Sequence, residues 1–472
     1  MEINKINNLK ANDDCLLGFY ISGRYLRGIT VNLQNPTLPM TAEILVNGHL
    51  MASVCCIGIL YGHLLSNYLN GETALKIGHH REIPGGFEFF LSDYLPLSSP
   101  LNISVRAKMG HRECGYVEET IDLASDTFQR LKPLIDLRPL IRFNALSQND
   151  NTIIVSAICN ASELEHISMH GENCEITELT CCPSIPHYVF PEKISGISLT
   201  AKLNIIDPKL EAKVNLTKNG LSFGQFSDSF FIPANLGKSF DKAIVPMEEQ
   251  IDRVMASKSK LDYLFSGYAS FKTIQNLLAK YTHLTITHDL SILDWGVGCG
   301  RVARHFIDAN CQVTGVDIDP QNVAWCRHNL LGQYDHISPQ PPTNLPTNSI
   351  DLAFGISIFT HLTEDDQFKW LEELQRVIKP GGYALMTIQS EYALLRGQEP
   401  TRRILSLNEY GIDDAVIGTR LDDVVGKKSD YYRETFHQHQ YIIQNWSRWF
   451  EVLAFERGEH FSHQDYVILR AR

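Results

Sequence analysis

One stretch constrains this chain more than any other: Ser291-Ile292-Leu293-Asp294-Trp295-Gly296-Val297-Gly298-Cys299-Gly300-Arg301, followed by Val302-Ala303-Arg304-His305-Phe306-Ile307. A short apolar strand that runs into a glycine-rich turn and then a helix opens a doubly wound α/β domain, whose ligand sits outside the carboxyl ends of the strands. A dinucleotide fingerprint needs G-x-G-x-x-G, in which the third glycine lets helix and sheet approach beneath a pyrophosphate. Here the glycines stand at 296, 298 and 300, and Arg301 occupies the place of that third glycine. The acid before the loop, Asp294, suits instead a ligand that is positively charged and carries no phosphate. The next strand, Val313-Thr314-Gly315-Val316-Asp317, ends in a carboxylate able to accept both hydroxyls of a ribose. Ile318 follows, placed to lie against a base, and Asp319-Pro320 reads as the cap and first turn of the next helix.

Upstream the pattern differs. From about Leu16 to Leu123 the chain reads as short strands punctuated by turns, with helix periodicity nearly absent; Ala42–Val46, Asn47-Gly48 and His49–Ala52 form a strand, a tight turn and a strand. Pro84-Gly85-Gly86 introduces another strand over Phe87–Leu91, and a second β-rich block runs from about Thr152 to Pro233, with turns at Asp207-Pro208 and Asn219-Gly220. Many short strands predict two β-sandwiches, divided near the polar, turn-prone Ser147-Gln148-Asn149-Asp150-Asn151. After about Asn235 the period changes. Pro246 suits a first helical turn, and Met247, Ile251, Val254 and Met255 fall on one face, as do Phe271, Ile274, Leu277, Leu278 and Tyr281. The expected organisation is a first sandwich over 1–148, a smaller second one over 149–235, and an α/β domain over 236–472 with a helical lead-in at 236–285.

Composition narrows the setting. A net charge of −12 over 472 residues argues against a general phosphate-binding surface, so no nucleic-acid partner is expected. The longest apolar run, Val54 to Tyr61, is far short of the ~20 residues of a membrane span. The first residues, Met1-Glu2-Ile3-Asn4-Lys5-Ile6, show nothing resembling a secretory signal, and an odd total of 11 cysteines reads as reduced thiols in the cytoplasm. No Cys/His spacing matches a zinc site, and no metal is expected.

With Ser349–Leu362 and Arg376–Met386, the segments around the glycine loop closely resemble the class I S-adenosylmethionine-dependent methyltransferases: the first is similar to the family's fourth strand and following loop, the second to its helix, turn and fifth strand. The resemblance runs from about Leu261 to the C-terminus. It implies a Rossmann-like domain with a seven-stranded sheet and S-adenosylmethionine as cofactor. It also implies cofactor contacts from Asp294 toward the methionyl ammonium, from Gly296, Gly298 and Gly300, from Asp317 to the ribose, from Ile318 to the adenine, and from Ser357. Ser338-Pro339-Gln340 stands where the family commonly has an acidic or polar adenine contact. The run Trp325–Leu330, Pro341-Pro342, and Thr435-Phe436-His437 with Trp446 and Phe450 resemble a branch joined to glycan-modifying machinery. Gly18-Phe19 and Gly86-Phe87-Glu88-Phe89 are similar to an immunoglobulin-like accessory sandwich of such proteins.

Methyl transfer is an in-line displacement, so the protein has chiefly to place the acceptor and, for a hydroxyl, to remove a proton. His361, just beyond the fourth strand, is the candidate general base, with an orienting or structural role as the alternative. Thr363 would cap the next helix and fix that loop. Between the fifth strand and the last hairpin, Gln389 to Arg448, lie about sixty residues, long enough for a lid. From that segment Tyr432 and His437 are the expected substrate contacts. The expectation is therefore a methyltransferase acting on a hydroxyl of a sugar, glycan precursor or related small molecule, with the sandwiches free to engage a protein partner or a second copy. The rival is a binding or scaffold protein with an inactive cofactor domain, against which the intact Asp294, three glycines and Asp317 weigh.

Overall fold

The structure, a computed structural model, describes the chain apart from residues 1–4, 23–24, 92–99, 138–140, 150–151, 161–166, 190–191, 219–220, 223–228, 236–242, 397–399 and 417–431. The Asn219-Gly220 turn and the residues 236–242 of the expected lead-in lie outside the described residues. Two compact units share the chain: Met1–Arg130 with Glu399–Gly411, and Leu131–Gln398 with Ile412–Arg472.

The first unit has two antiparallel sheets. One runs, in order, Lys10–Ala11, Cys15–Ser22, Tyr25–Asn32, Ile83–Phe90 and Gly58–Leu60; the other His49–Cys55, Thr41–Val46, Leu101–Met109 and Arg112–Ile121. Alternate residues point inward, so Leu17, Phe19 and Leu26 of the first sheet share a core with Ala42, Ile44, Ile103 and Val105 of the second. The expected hairpin is present: Asn47 (φ 49°) and Gly48 (φ 80°) turn the chain between Thr41–Val46 and His49–Cys55. The opposite face of the first sheet is apolar too, through Leu16, Ile29 and Val31, and the short helices Gly62–Leu65 and Gly71–Gly78 cover it with Leu65 and Ile77. Helices of this length carry almost no periodic signal, so the sequence showed only strands here. The helix Pro400–Tyr410 belongs to this unit, burying Ile404, Leu405 and Leu407.

The second unit begins with the other β-rich block, built of one sheet in the order Ile141–Asn149, Thr152–Asn160, Glu192–Ile205, Cys174–Val189 and another around Ala212–Lys218. The polar stretch expected to divide the sandwiches reaches the end of Ile141–Asn149, whose register with Thr152–Asn160 closes at Asn149↔Thr152. This block is closed by helices: Ile251 of Glu248–Met255, and Tyr263 and Phe265 of Lys260–Tyr281, complete the core of Val155, Leu199 and Val214. The Phe230 and Phe265 rings lie 4.9 Å apart. Farther along the same long helix, Ile274, Leu277 and Leu278 pack on the C-terminal sheet. One 22-residue helix thus serves two cores.

The C-terminal sheet runs Gln333–His336, Gln312–Asp317, Ser291–Trp295, Ile350–Gly355, Ile378–Ser390, all parallel, hereafter the third, second, first, fourth and fifth strands. Gln464–Ala471 returns antiparallel beside the fifth strand and pairs with Phe450–His460. Among the described residues the sheet has nine strands, where seven were expected. The fifth strand continues to Ser390, and its last residues Gln389 and Ser390 pair with Phe436 and His437 of a further hairpin, Ile412–Val416 with Arg433–His437. The chain order reverses between the first and fourth strands, which opens a crevice at their carboxyl ends.

Candidate cofactor cleft and active site

A cleft of about 200 Å³ lies at that reversal, and it gathers Gly296, Gly298, Asp317, Ile318, Ser357, His361 and Tyr432. Gly296 has φ 80° and Gly298 φ 52°, a region in which side chains are strained, and a Cβ on Gly296 would come within 2.2 Å of Ile358 Cδ1. The backbone is thereby bared to the cleft. Gly300 serves a different purpose: it lies outside the lining, and a Cβ there would meet Leu330 Cδ1 at 2.2 Å, so its absence lets the loop settle on the helix Pro320–Asn329.

Asp317 stands at the end of the second strand, with its Oδ2 accepting from the Gly298 N–H and its Oδ1 from the Asp319 N–H, both at 2.7 Å. Burial pushes this carboxyl up to about 6, against the pull of those two amides. Asp294 is buried beneath the glycine loop and does not line the cleft. Burial raises it to about 8, with Arg301 acting in the opposite direction. Arg301, at the position of the absent glycine, is itself buried, its Nη1 donating to Ser266 Oγ (3.2 Å) and Ser270 Oγ (3.4 Å) of the long helix. An arginine fits here because the loop packs on a helix that offers hydroxyls. Asp319 caps Pro320–Asn329 through Gln321 N (2.8 Å), as expected of it.

Ser357 sits in the loop after the fourth strand at φ 59°, its N–H donating to Thr387 Oγ1 (2.7 Å) and its Oγ accepting from Gln464 Nε2 (2.9 Å). Farther along that loop Thr363 caps the helix Glu364–Val377 through Asp366 N (3.2 Å). His361 is half-buried, and its Nδ1 lies 2.9 Å from the Arg433 carbonyl. A carbonyl only accepts, so Nδ1 carries the proton and Nε2 is left as the acceptor. Burial lowers the His361 pKa, keeping the ring neutral at pH 7. The Tyr432 ring meets it edge-on at 5.7 Å.

His437 is not in the cleft. It is fully buried, with Nε2 2.9 Å from Gln367 Oε1 and its ring beside Tyr441 and Trp446. Gln340 is likewise engaged elsewhere, donating to Asp366 Oδ1 at 2.7 Å. Trp325 packs into the cores around the long helix and does not line the cleft.

Sequence reasoning missed several lining residues. Trp295 and Trp370 form an aromatic floor with centroids 5.1 Å apart, beside Ile337 and Leu362. The position of Trp295, between the acid and the first glycine at a strand end, was a usable signal. Arg253 and Val254 reach the cleft from the helix Glu248–Met255, whose apolar stripe pointed only to a core. Arg253 Nη1 lies 3.5 Å from Asp319 Oδ2, and Nη2 donates to Gln321 Oε1 at 2.9 Å.

Residues 292–382 match the family model described as a methyltransferase domain. This region is a methyltransferase domain. Over 108 residues the chain is 32% identical to an uncharacterized methyltransferase of Mycolicibacterium gilvum (strain PYR-GCK), covering 22% of this chain and 40% of that protein. Over 100 residues it is 35% identical to the tRNA (carboxymethyluridine(34)-5-O)-methyltransferase of Arabidopsis thaliana, covering 21% and 23%. The chain therefore spans less than half the length of either relative. A solved S-adenosylmethionine-dependent methyltransferase from Methanosarcina mazei is similar over 41% of this chain and 96% of its own, with 17% identity and a TM-score of 0.32. The residues of the cleft fit S-adenosylmethionine, the cofactor that the sequence resemblance implies. Bare glycine backbone at Gly296 and Gly298 permits close approach, each Asp317 oxygen keeps a lone pair for a ribose hydroxyl, and Ile318, Ile337 and Trp370 offer apolar surface for a base. Among the described residues no helix is long and apolar enough to cross a membrane.

Proposed function

We propose that the whole chain O-methylates a hydroxyl of a sugar, glycan precursor or related small molecule, with His361 as the general base. The observation that carries this reading is that His361, its tautomer set by the Arg433 carbonyl, lines the same cleft as Asp317 and the glycine loop. S-adenosylmethionine supplies an electrophilic sulfonium methyl when bound. Asp317 holds the ribose hydroxyls, and Asp294 beneath the loop, protonated near pH 7 in the free protein, releases its proton when the cofactor's positive charge is bound. His361 Nε2 takes the proton of the acceptor hydroxyl, a task suited to an imidazole that burial keeps neutral. Tyr432, edge-on to His361, offers a flat face to a sugar ring. Ser357, held by Thr387 and Gln464, shapes the wall opposite. We assign the two N-terminal β-rich blocks as immunoglobulin-like accessory modules that bind the glycan, a protein partner or a second copy. We place the protein in the cytoplasm, consistent with the unpaired state of every described cysteine side chain.

Calorimetric titration with S-adenosylmethionine and, separately, NADH tests the reading, followed by a screen of sugar acceptors. Binding of S-adenosylmethionine but not NADH, lost in Asp317→Ala, and a methylated sugar product lost in His361→Ala are expected. No binding to the wild-type protein overturns the methyltransferase reading and favours a scaffold. A product undiminished in His361→Ala removes the base role.

A further inference from the structure

His361 sits at the end of a single 3₁₀ turn, Phe359–His361. A turn that short has too few hydrogen bonds of its own to fix a side chain, and its tethers come from elsewhere in the fold. Gln367, fully buried in the helix Glu364–Val377, donates through Nε2 to the carbonyls of Phe359 and Leu362, each at 3.3 Å. Carbonyls only accept, so the orientation of the amide is determined and Oε1 is left as its acceptor. That oxygen faces His437 Nε2 at 2.9 Å, which must then carry the ring proton. Two residues earlier on the same strand, Thr435 Oγ1 donates to the Leu362 carbonyl at 2.8 Å. Two earlier again, the Arg433 carbonyl takes the His361 Nδ1–H at 2.9 Å. One strand therefore meets this segment through the Arg433 carbonyl at His361, through Thr435 at Leu362, and through His437 by way of Gln367.

We infer that Gln367 and His437 are positioning residues for His361: buried and outside the cleft, they hold the turn at Phe359 and Leu362 so that His361 keeps its bond to Arg433 and presents Nε2 as an acceptor. The inference rests on the reading of His361 as the base. A polar pair surrounded by Tyr441 and Trp446 gains little net stability over a packed apolar pair of the same shape. What it adds is direction, since an amide bonded on both sides has one orientation. Burial pushes His437 down to about 3, so the ring is neutral.

The test reads His361 itself rather than turnover. Ring-nitrogen shifts of the histidine-labelled full chain, with His361 assigned by its loss in His361→Gln, report the tautomer and the titration of that ring. In the wild-type protein His361 is expected as the Nδ1–H tautomer, titrating below the ordinary value. In Gln367→Met the tautomer ratio is expected to fall roughly fivefold, what the loss of one ordinary hydrogen bond gives, and the pKa to fall, since the Arg433 carbonyl that raises it is no longer held in place. His437→Phe should do the same, while His437→Gln, which keeps an N–H donor, restores the wild-type signal. A folded Gln367→Met with an unchanged His361 overturns the inference. Should that variant not fold, an unchanged His361 in His437→Phe overturns it equally. Titration of the same proteins with S-adenosylmethionine separates the two readings: affinity is expected unchanged in these variants, and a wild-type protein that does not bind defeats the proposed function while leaving the tautomer result to stand or fall by itself.

Discussion

The cores of the two ends of this chain treat charge in opposite ways. Among the described residues of 1–130, the buried polar side chains are Thr30, Asn32, Ser104 and Thr127, and no Asp, Glu, Lys, Arg or His is buried. Around the C-terminal sheet Asp294, Arg301, His305, Asp317, His437 and Asp465 all are. Desolvating one ion costs several kcal/mol unless partners repay it, so a core that serves only packing excludes such groups. Three of them are held by specific partners: Arg301 by two serines, Asp317 by two amides, Asp465 by His439 at 2.7 Å and the Gly458 N–H at 2.9 Å. The contrast locates chemistry in one region and structure in the other, and it can be broken by experiment.

The largest expected effect lies in the charge-free core. Ile103→Ala removes a fully buried side chain between the two sheets and is expected to destabilise the first unit by about 2–5 kcal/mol in urea unfolding. Cofactor affinity should be untouched; a parallel loss of affinity would show that the two regions do not act separately. Gly296→Val reverses the pattern. At φ 80° a β-branched residue is strained and the Ile358 side chain, 2.2 Å from the new Cβ, must move, so S-adenosylmethionine affinity is expected to fall by about a hundredfold, on the scale of backbone strain at such a position. Affinity within about tenfold of wild type would mean that the bare backbone at this glycine is not what the cofactor needs.

The remaining effect is a slope with pH. Burial raises Asp317 to about 6 and Asp294 to about 8, above the ordinary aspartate value of about 4. Across that interval the folded protein holds protons that the unfolded chain has released. The stability they contribute is fully present below about pH 4 and is lost as pH rises through about 6 and then about 8. Cofactor-free melting of the second unit should therefore fall between pH 5 and 8, whereas the cofactor, which favours both carboxylates, should bind with proton release and more tightly at the upper end. Asp294→Asn flattens the upper part of the slope, and a melting temperature indifferent to pH in wild-type protein would contradict the buried state of these acids.

Much of the cofactor cleft was legible because it is local. The glycine loop, Asp317 at a strand end, and the caps Asp319 and Thr363 depend on residues within a few positions of one another, and each stands as expected in form. The helix stripe Phe271 to Tyr281 was legible for the same reason, as periodicity within one element. The short helices of the first unit were not, because four to eight residues seldom complete a recognisable face. Nor was the share of Arg253 in the cleft, since the stripe beside it records only which face is buried.

By itself the sequence determined what short-range geometry determines: a strand that ends in bare backbone, an acid at the end of the next, a histidine just past the fourth, and β-rich chain before them. Tertiary structure decided the rest. It placed Asp294 under the loop, Gly300 against Leu330, and His437 in the core as the partner of Gln367. The last two of these join residues 30 and 70 positions apart, Gly300 with Leu330 and His437 with Gln367. Burial and hydrogen bonding across such distances follow from how sheets, helices and loops stack, which no local pattern of side chains encodes.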